Sequence, residues 1–159
     1  HWPSETKTIT SYVAEEFPQG FRAPSAEVKV LSAERTFWEK ATILHAEFHR
    51  PVEKPMPDRF SRHYADFHEL VRKGVATAAI AKPDLLARVA QHKNLCFKTS
   101  WARYGEATKG TLHITPPEHR LKALRDDYTR MQQMFFGTPP DFDKIIALLS
   151  QWESEFNQK

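Results

Sequence analysis

Apolar side chains return every three or four residues along most of this chain, and proline or glycine marks the places where the return stops. Phe37, Ala41, Leu44 and Phe48 lead up to Pro51, and Phe60, Tyr64, Phe67, Leu70 and Val71 lead up to Gly74. A third run passes from Pro83 through Leu86 and Val89 to about Phe97. The last two are Leu121, Leu124, Tyr128, Met131 and Phe135, then Phe142, Ile145, Leu149, Trp152 and Phe156. Such spacing gathers apolar residues on one side of a 3.6-residue helix. It predicts a mainly α fold, a bundle of about five helices. Ser32 is expected to cap the first helix and Asp58 to open the second. Thr115-Pro-Pro-Glu118 and Thr138-Pro-Pro-Asp141 each read as a capping box with proline at the first helical position. A link near Gly137 would make the last two helices an antiparallel hairpin.

The first 32 residues read differently. Residues 27–32 alternate polar and apolar, and residues 6–10 are rich in β-branched side chains, so one or two short strands are expected. Residues 11–17 equally suit a short helix that ends at Pro18 and Gly20. A further short strand is expected at 112–114, after an irregular stretch. Two short strands do not make an independently stable sheet, so the strands are expected to belong to a sheet that began upstream. The chain starts at His1, not at methionine. The expected division is a remnant of an upstream domain with its linker at 1–32, then a helical domain at 33–159.

The chain's 159 residues are enough for one domain with a proper core. The sequence has no stretch of about 18 apolar residues and no apolar signal-peptide centre, so no membrane association is expected. Cys96 is the one cysteine. That excludes an internal disulfide framework and a thiolate-rich zinc site, and points to a reducing cytoplasm. The net charge of +3 is unevenly spread, with five lysines and arginines against one glutamate in residues 88–115. A strip of that size attracts phosphate but is far smaller than a dedicated nucleic-acid surface.

Several residues carry candidate chemistry. Lys40 lies about 40° around the helix from Leu44, at the border of the apolar face. Its head either reaches a cleft or snorkels over Leu44 into water. Asp66 holds the same kind of border on the second helix. It either accepts a proton or steadies a metal-bound phosphate, or else it is the partner of Arg62, one turn before it. The strip 88–109 mixes His92, Lys93, Lys98 and Arg103 with Phe97, Trp101 and Tyr104, a blend that suits single-stranded nucleic acid; the aromatics also suit a core. His45 and His49, one turn apart, have the spacing of zinc ligands, with His63 and His68 within twenty residues, but they lack the HExxH pattern and a third ligand would have to come from the next helix. Packing histidines are expected there, and no metal site. Cys96 and His92 make a minimal pair without an orienting group, and a buried thiol is expected. Asp126 and Asp127 point about 100° apart and do not converge on one point, although either can act alone.

The stretch 35–51, RTFWEKATILHAEFHRP, resembles part of the nucleotidyltransferase AbiEii/AbiGii toxin family. SRHYAD at 61–66, and Asp127-Tyr128 with Met131 and Met134, fit the same family in the same order. The resemblance implies the helical C-terminal part of an enzyme whose N-terminal half is similar to DNA polymerase β-type nucleotidyltransferases. Its members are toxins of bacterial toxin–antitoxin and phage-defence systems, and characterised relatives transfer nucleotides from NTPs to tRNA. By the same resemblance Lys40 contacts the triphosphate and Asp66 is the essential aspartate. Arg62 and Arg35 would flank the phosphates; the basic strip, through Lys93, Lys98 and Arg103, is expected to hold an RNA acceptor. The implied cofactors are Mg²⁺ and NTP in the intact enzyme. The implied partners are the missing N-terminal nucleotidyltransferase domain, the RNA acceptor with tRNA foremost, and a cognate antitoxin that acts as a transcriptional repressor. The family's Gly-Ser turn followed by a carboxylate is absent, because no glycine here precedes a serine. The chain is therefore not expected to catalyse alone. The alternative is a non-catalytic helical module that binds RNA or protein through the strip 88–109.

Overall fold

A computed structural model describes residues 2–135 and 137–158; the outer ends of the two expected units, His1 and Lys159, lie outside them. The order is β1 (Ser4–Thr10), α1 (Tyr12–Glu16), β2 (Ser25–Leu31), α2 (Ala33–Phe48), α3 (Arg62–Arg72), α4 (Val75–Ile80), α5 (Pro83–Cys96), α6 (Glu118–Met131) and α7 (Phe142–Asn157). The mainly α class holds, with two short strands at the start and five main helices, α2, α3 and α5 to α7. No helix among the described residues is long and apolar enough to cross a membrane.

The central element is α2. Ser32 caps it, its hydroxyl accepting from the Arg35 amide at 3.2 Å. Helices α3, α4 and α5 pack around it. Phe37 meets Trp38, Phe67 and Trp152 at ring separations of 4.9, 4.7 and 5.4 Å. Edge and tilted contacts of this kind add to what burial already contributes. The Trp38 indole donates to the carbonyl of Ala79 at 3.3 Å. This contact needs a close approach of α4 to α2, and the small side chains Ala76 and Ala79 on α4 permit it. Helix α4 itself, in the small apolar stretch 75–81, was not expected.

Several expected elements differ. Strands β1 and β2 pair antiparallel with each other, Ser4 opposite Leu31 through Thr10 opposite Ser25. The expectation of a sheet begun upstream puts their partner outside the chain; within the described residues each strand is the other's partner. Residues 112–114 are not a strand, because side chains take their amides. His113 N–H goes to His45 Nδ1 at 3.1 Å, and the amides of Ile114 and Thr115 both go to Glu153 Oε2 at 2.7 Å. Neither Thr-Pro-Pro segment forms a capping box. Helix α6 starts at Glu118 with no side-chain cap, and α7 is capped by Asp141, which accepts from the Asp143 amide at 2.8 Å. The stripe on α7 packs on α3. Helices α6 and α7 meet near their shared turn, where Tyr128 faces Phe142 and Arg125 pairs with Asp143.

The second main helix starts at Arg62, four residues after Asp58, and Asp127 explains why. Its carboxylate accepts from the amides of Arg59 and Ser61 at 2.8 and 2.9 Å and from the Ser61 hydroxyl at 2.6 Å. These bonds hold the chain in a turn before the helix, with Arg59 in the left-handed region at φ 59°. Burial works to raise the Asp127 carboxyl, but the bonds from Ser61 and Arg59 outweigh it and hold it below its ordinary value. Asp127 is thus a staple between α6 and the entry of α3, joining two segments distant in sequence.

Replacing Asp127 with alanine should lower the unfolding free energy by about 3 kcal/mol, since several charge-assisted bonds vanish and buried amides lose their acceptor. Asp126→Ala, which removes an exposed pair with Lys122, should cost less than about 0.5 kcal/mol. Urea unfolding of both variants measures the difference; equal midpoints would refute the staple.

Candidate functional site

Helices α2 and α3 lie side by side and bring Lys40 and Asp66 together. Lys40 Nζ donates to Asp66 Oδ2 at 2.6 Å and to His63 Nδ1 at 3.2 Å. Asp66 therefore takes its partner from the neighbouring helix, not from Arg62 one turn before it. His63 and Asp66 are three residues apart on α3 and face α2 together. The Lys40 and Asp66 side chains keep 21% and 46% of their exposure, and they border an open depression of about 470 Å³ shared with Thr36, Glu69, Leu70 and Lys73. Arg62 is exposed at the first position of α3, beside His63.

Burial and then the charge of Lys40 push the His63 imidazole down to about 4. At neutral pH the ring is uncharged and accepts from the ammonium without repelling it. Nothing in the one-dimensional pattern singled out His63 as a neighbour of Lys40. The available signal was its spacing from Asp66.

Arg35 and Lys93 come together elsewhere, on Glu39. Arg35 donates to Glu39 Oε1 through Nε and Nη2 at 2.9 and 2.6 Å, and Lys93 Nζ stands 2.6 Å from Oε2. Arg35 also donates to the carbonyl of Trp2 at 2.8 Å, and Arg88 lies 4.0 Å above the Trp2 ring. The three charged side chains retain only 10%, 19% and 10% exposure. Burial works to raise the Glu39 carboxyl, but Lys93 and Arg35 hold it below its ordinary value. This triad ties the hairpin to the helical body. Glu39 is not among the residues that the sequence singles out; the signal for it is its i,i+4 spacing from Arg35.

The rest of the strip 88–109 has varied engagements. Lys93 sits 4.7 Å from the Phe97 ring, and Arg103 pairs with Glu106 at 3.6 Å. Lys98 is exposed. The Trp101 ring is covered by Arg50, from beyond the end of α2, at 4.6 Å. Cys96 is exposed rather than buried, with Sγ 3.6 Å from His92 Nε2. It closes α5 at a solvent-facing position that helical spacing alone did not separate from the core.

His45 cannot serve as a ligand without losing its structural bonds. Its Nε2 donates to the Arg103 carbonyl at 3.1 Å while Nδ1 accepts the His113 amide. Burial lowers its pKa to about 4, which keeps it in that neutral tautomer. Among the described residues no three His, Cys, Asp or Glu side chains are grouped to hold a metal ion. Asp66, the carboxylate beside Lys40, is occupied by that ammonium. The described residues therefore offer no ready-made cluster for a Mg²⁺ ion.

A family model described as nucleotidyl transferase AbiEii toxin, type IV TA system, matches residues 1–148. No curated protein and no solved structure matches the chain.

Removing the Glu39 carboxylate leaves two half-sequestered cations facing each other, so Glu39→Ala should destabilise the fold by about 3 kcal/mol. With the folded carboxyl below its ordinary 4.5, its contribution is complete above about pH 4.5 and is lost as pH falls through the folded value. Chemical unfolding across pH 3 to 7 should show a shallower acid decline for Glu39→Gln than for the parent. Parallel curves would contradict the arrangement.

Proposed function

Because the chain belongs to the nucleotidyl transferase AbiEii toxin family of type IV toxin–antitoxin systems, we propose that it supplies the Lys40 and Asp66 side of a nucleotide-transfer site. Membership gives it a nucleotidyltransferase-like toxin role and implies an antitoxin partner. The observation that carries the finer reading is the Lys40–Asp66 contact at the rim of an open depression. An ammonium and a carboxylate within reach of one small ligand are what nucleotide transfer asks of this half of a site. Lys40 holds phosphate oxygens of an NTP, with Arg62 beside it. Asp66, released when those oxygens take over its ammonium, accepts the proton of the acceptor hydroxyl. The hydroxyl oxygen then bonds to the α-phosphorus, and the α–β bridging bond breaks with pyrophosphate leaving. In this reading the acceptor is RNA, with tRNA the favoured class, and the antitoxin acts as a transcriptional repressor in bacterial phage defence.

Mg²⁺ would neutralise charge on the phosphates when bound, and among the described residues no three His, Cys, Asp or Glu side chains are grouped to hold it. We therefore assign the metal-binding carboxylates to an N-terminal nucleotidyltransferase part outside this chain and expect no transfer by residues 1–159 alone. The exposed side chains Ile9, Val13, Phe17 and Phe21 around the hairpin support a face there that such a part would cover. In this reading Arg35 and Lys93 serve the fold rather than the substrate, a reading supported by their ion pairs with Glu39. Lys98 and Arg103 remain proposed acceptor contacts.

Lys40→Ala and Asp66→Ala, each in the intact enzyme, should lower transfer of labelled nucleotide to RNA by about 100-fold or more. Because the pair is half-exposed, thermal stability should change by less than about 1 kcal/mol. Near-normal transfer by Lys40→Ala would overturn the proposal.

A further inference from the structure

The Lys40 ammonium has three N–H bonds to place. One goes to Asp66 Oδ2 at 2.6 Å and one to His63 Nδ1 at 3.2 Å, leaving the third for a ligand in the depression. If a phosphate displaces Asp66, the ammonium loses its shorter anchor at the moment its position matters most. A long lysine side chain with one fixed point would then sweep a wide arc. We propose that His63 is a positioning residue, the neutral acceptor that keeps Lys40 aimed into the depression after Asp66 lets go. This rests on the reading of Lys40 as the phosphate-contacting cation.

The ring is suited to that task. Phe60 packs edge-on against it with ring centroids 4.9 Å apart, which limits its rotation. The backbone beneath it is fixed as well, since His63 is the second residue of α3 and Asp127 staples the turn before it. A lysine offers only donors, so Nδ1 must be the bare nitrogen and Nε2 the protonated one. A charged group in place of His63 would fail: an imidazolium would repel Lys40, and a carboxylate would compete with the incoming phosphate for it. The charges facing the ring are Lys40 from α2, Arg62 and Asp66 on α3, and Lys93 from α5. Three of these four are cations, so the surroundings favour the uncharged ring. Its lowered pKa agrees with the geometry.

Two substitutions separate acceptance from mere packing. His63→Asn keeps an acceptor near the place of Nδ1, whereas His63→Leu fills space without one. In the intact enzyme His63→Leu should cut kcat/KM for the NTP by about 10-fold to 100-fold, as expected when a reacting group is misplaced by about an ångström. His63→Asn should recover to within about 3-fold of the parent. Nitrogen NMR of the histidine rings in the unaltered protein should show His63 as the neutral Nε2–H form from pH 6 to 8. Equal activity of the leucine variant and the parent, or equal loss in both variants, would overturn the inference, and so would a proton on Nδ1. The NMR result decides the matter even where the leucine variant fails to fold. Lys40→Ala run alongside tells the two ideas apart. If it abolishes transfer while both His63 variants are normal, only the positioning role falls; if it transfers normally, the underlying reading falls.

Discussion

The structure depends on the burial of one helix. Helix α2 carries Phe37, Trp38, Ala41 and Leu44 into the core, and also Thr42, His45 and Glu47, which are almost wholly buried. A helix enclosed on several sides cannot turn its polar residues to water, so each needs a specific partner. Thr42 bonds back to the Trp38 carbonyl, His45 grips the connector at Arg103 and His113, and Glu47 takes Arg50. Arg35 and Glu39 draw in Lys93 from α5, and Lys40 draws in His63 and Asp66 from α3. The core supplies the driving force, and these polar matches decide which neighbour lies where.

The five main helices were legible because their apolar residues follow a period that depends only on backbone geometry. What the spacing missed came from partners distant in the chain. The Asp58 start of the second helix was displaced by Asp127, sixty-nine residues on. Residues 112–114 had the composition of a strand, but Glu153 and His45 reached their amides first. The two Thr-Pro-Pro segments failed as capping boxes for a local reason. Proline has no N–H and holds an extended conformation before the helix, so the residue at the cap is the one after or at the second proline. Asp141 caps α7, and Pro117 precedes α6 with no side-chain bond.

The site was legible in part. Lys40 and Asp66 both fell at the border between apolar and polar faces, and the structure puts them in contact. Nothing in the linear pattern separates Arg35 and Lys93, which Glu39 takes, from Lys98 and Arg103. Charge in a sequence does not reveal whether a counter-charge is waiting. The spacing of Glu39 from Arg35 is a signal in the sequence, but its second bond, to Lys93, joins residues fifty-four apart and follows from helix packing alone.

Exposure then separates the cations that hold the fold from those that can serve a ligand. An ion pair open to water is worth at most about 1 kcal/mol, so under the proposed function a polyanion offering several oxygens would take Lys40 from Asp66 at little cost. Pulling Lys93 or Arg35 from Glu39 would strand a charge that water barely reaches, at a cost of several kcal/mol. The two clusters sit on the same helix, one residue apart at Glu39 and Lys40, and carry similar chemistry. Their difference is the depth at which the second helix meets them. Helix α5 brings Lys93 down onto Glu39 and closes that side, while α3 presents Asp66 beside Lys40 at the rim of the depression.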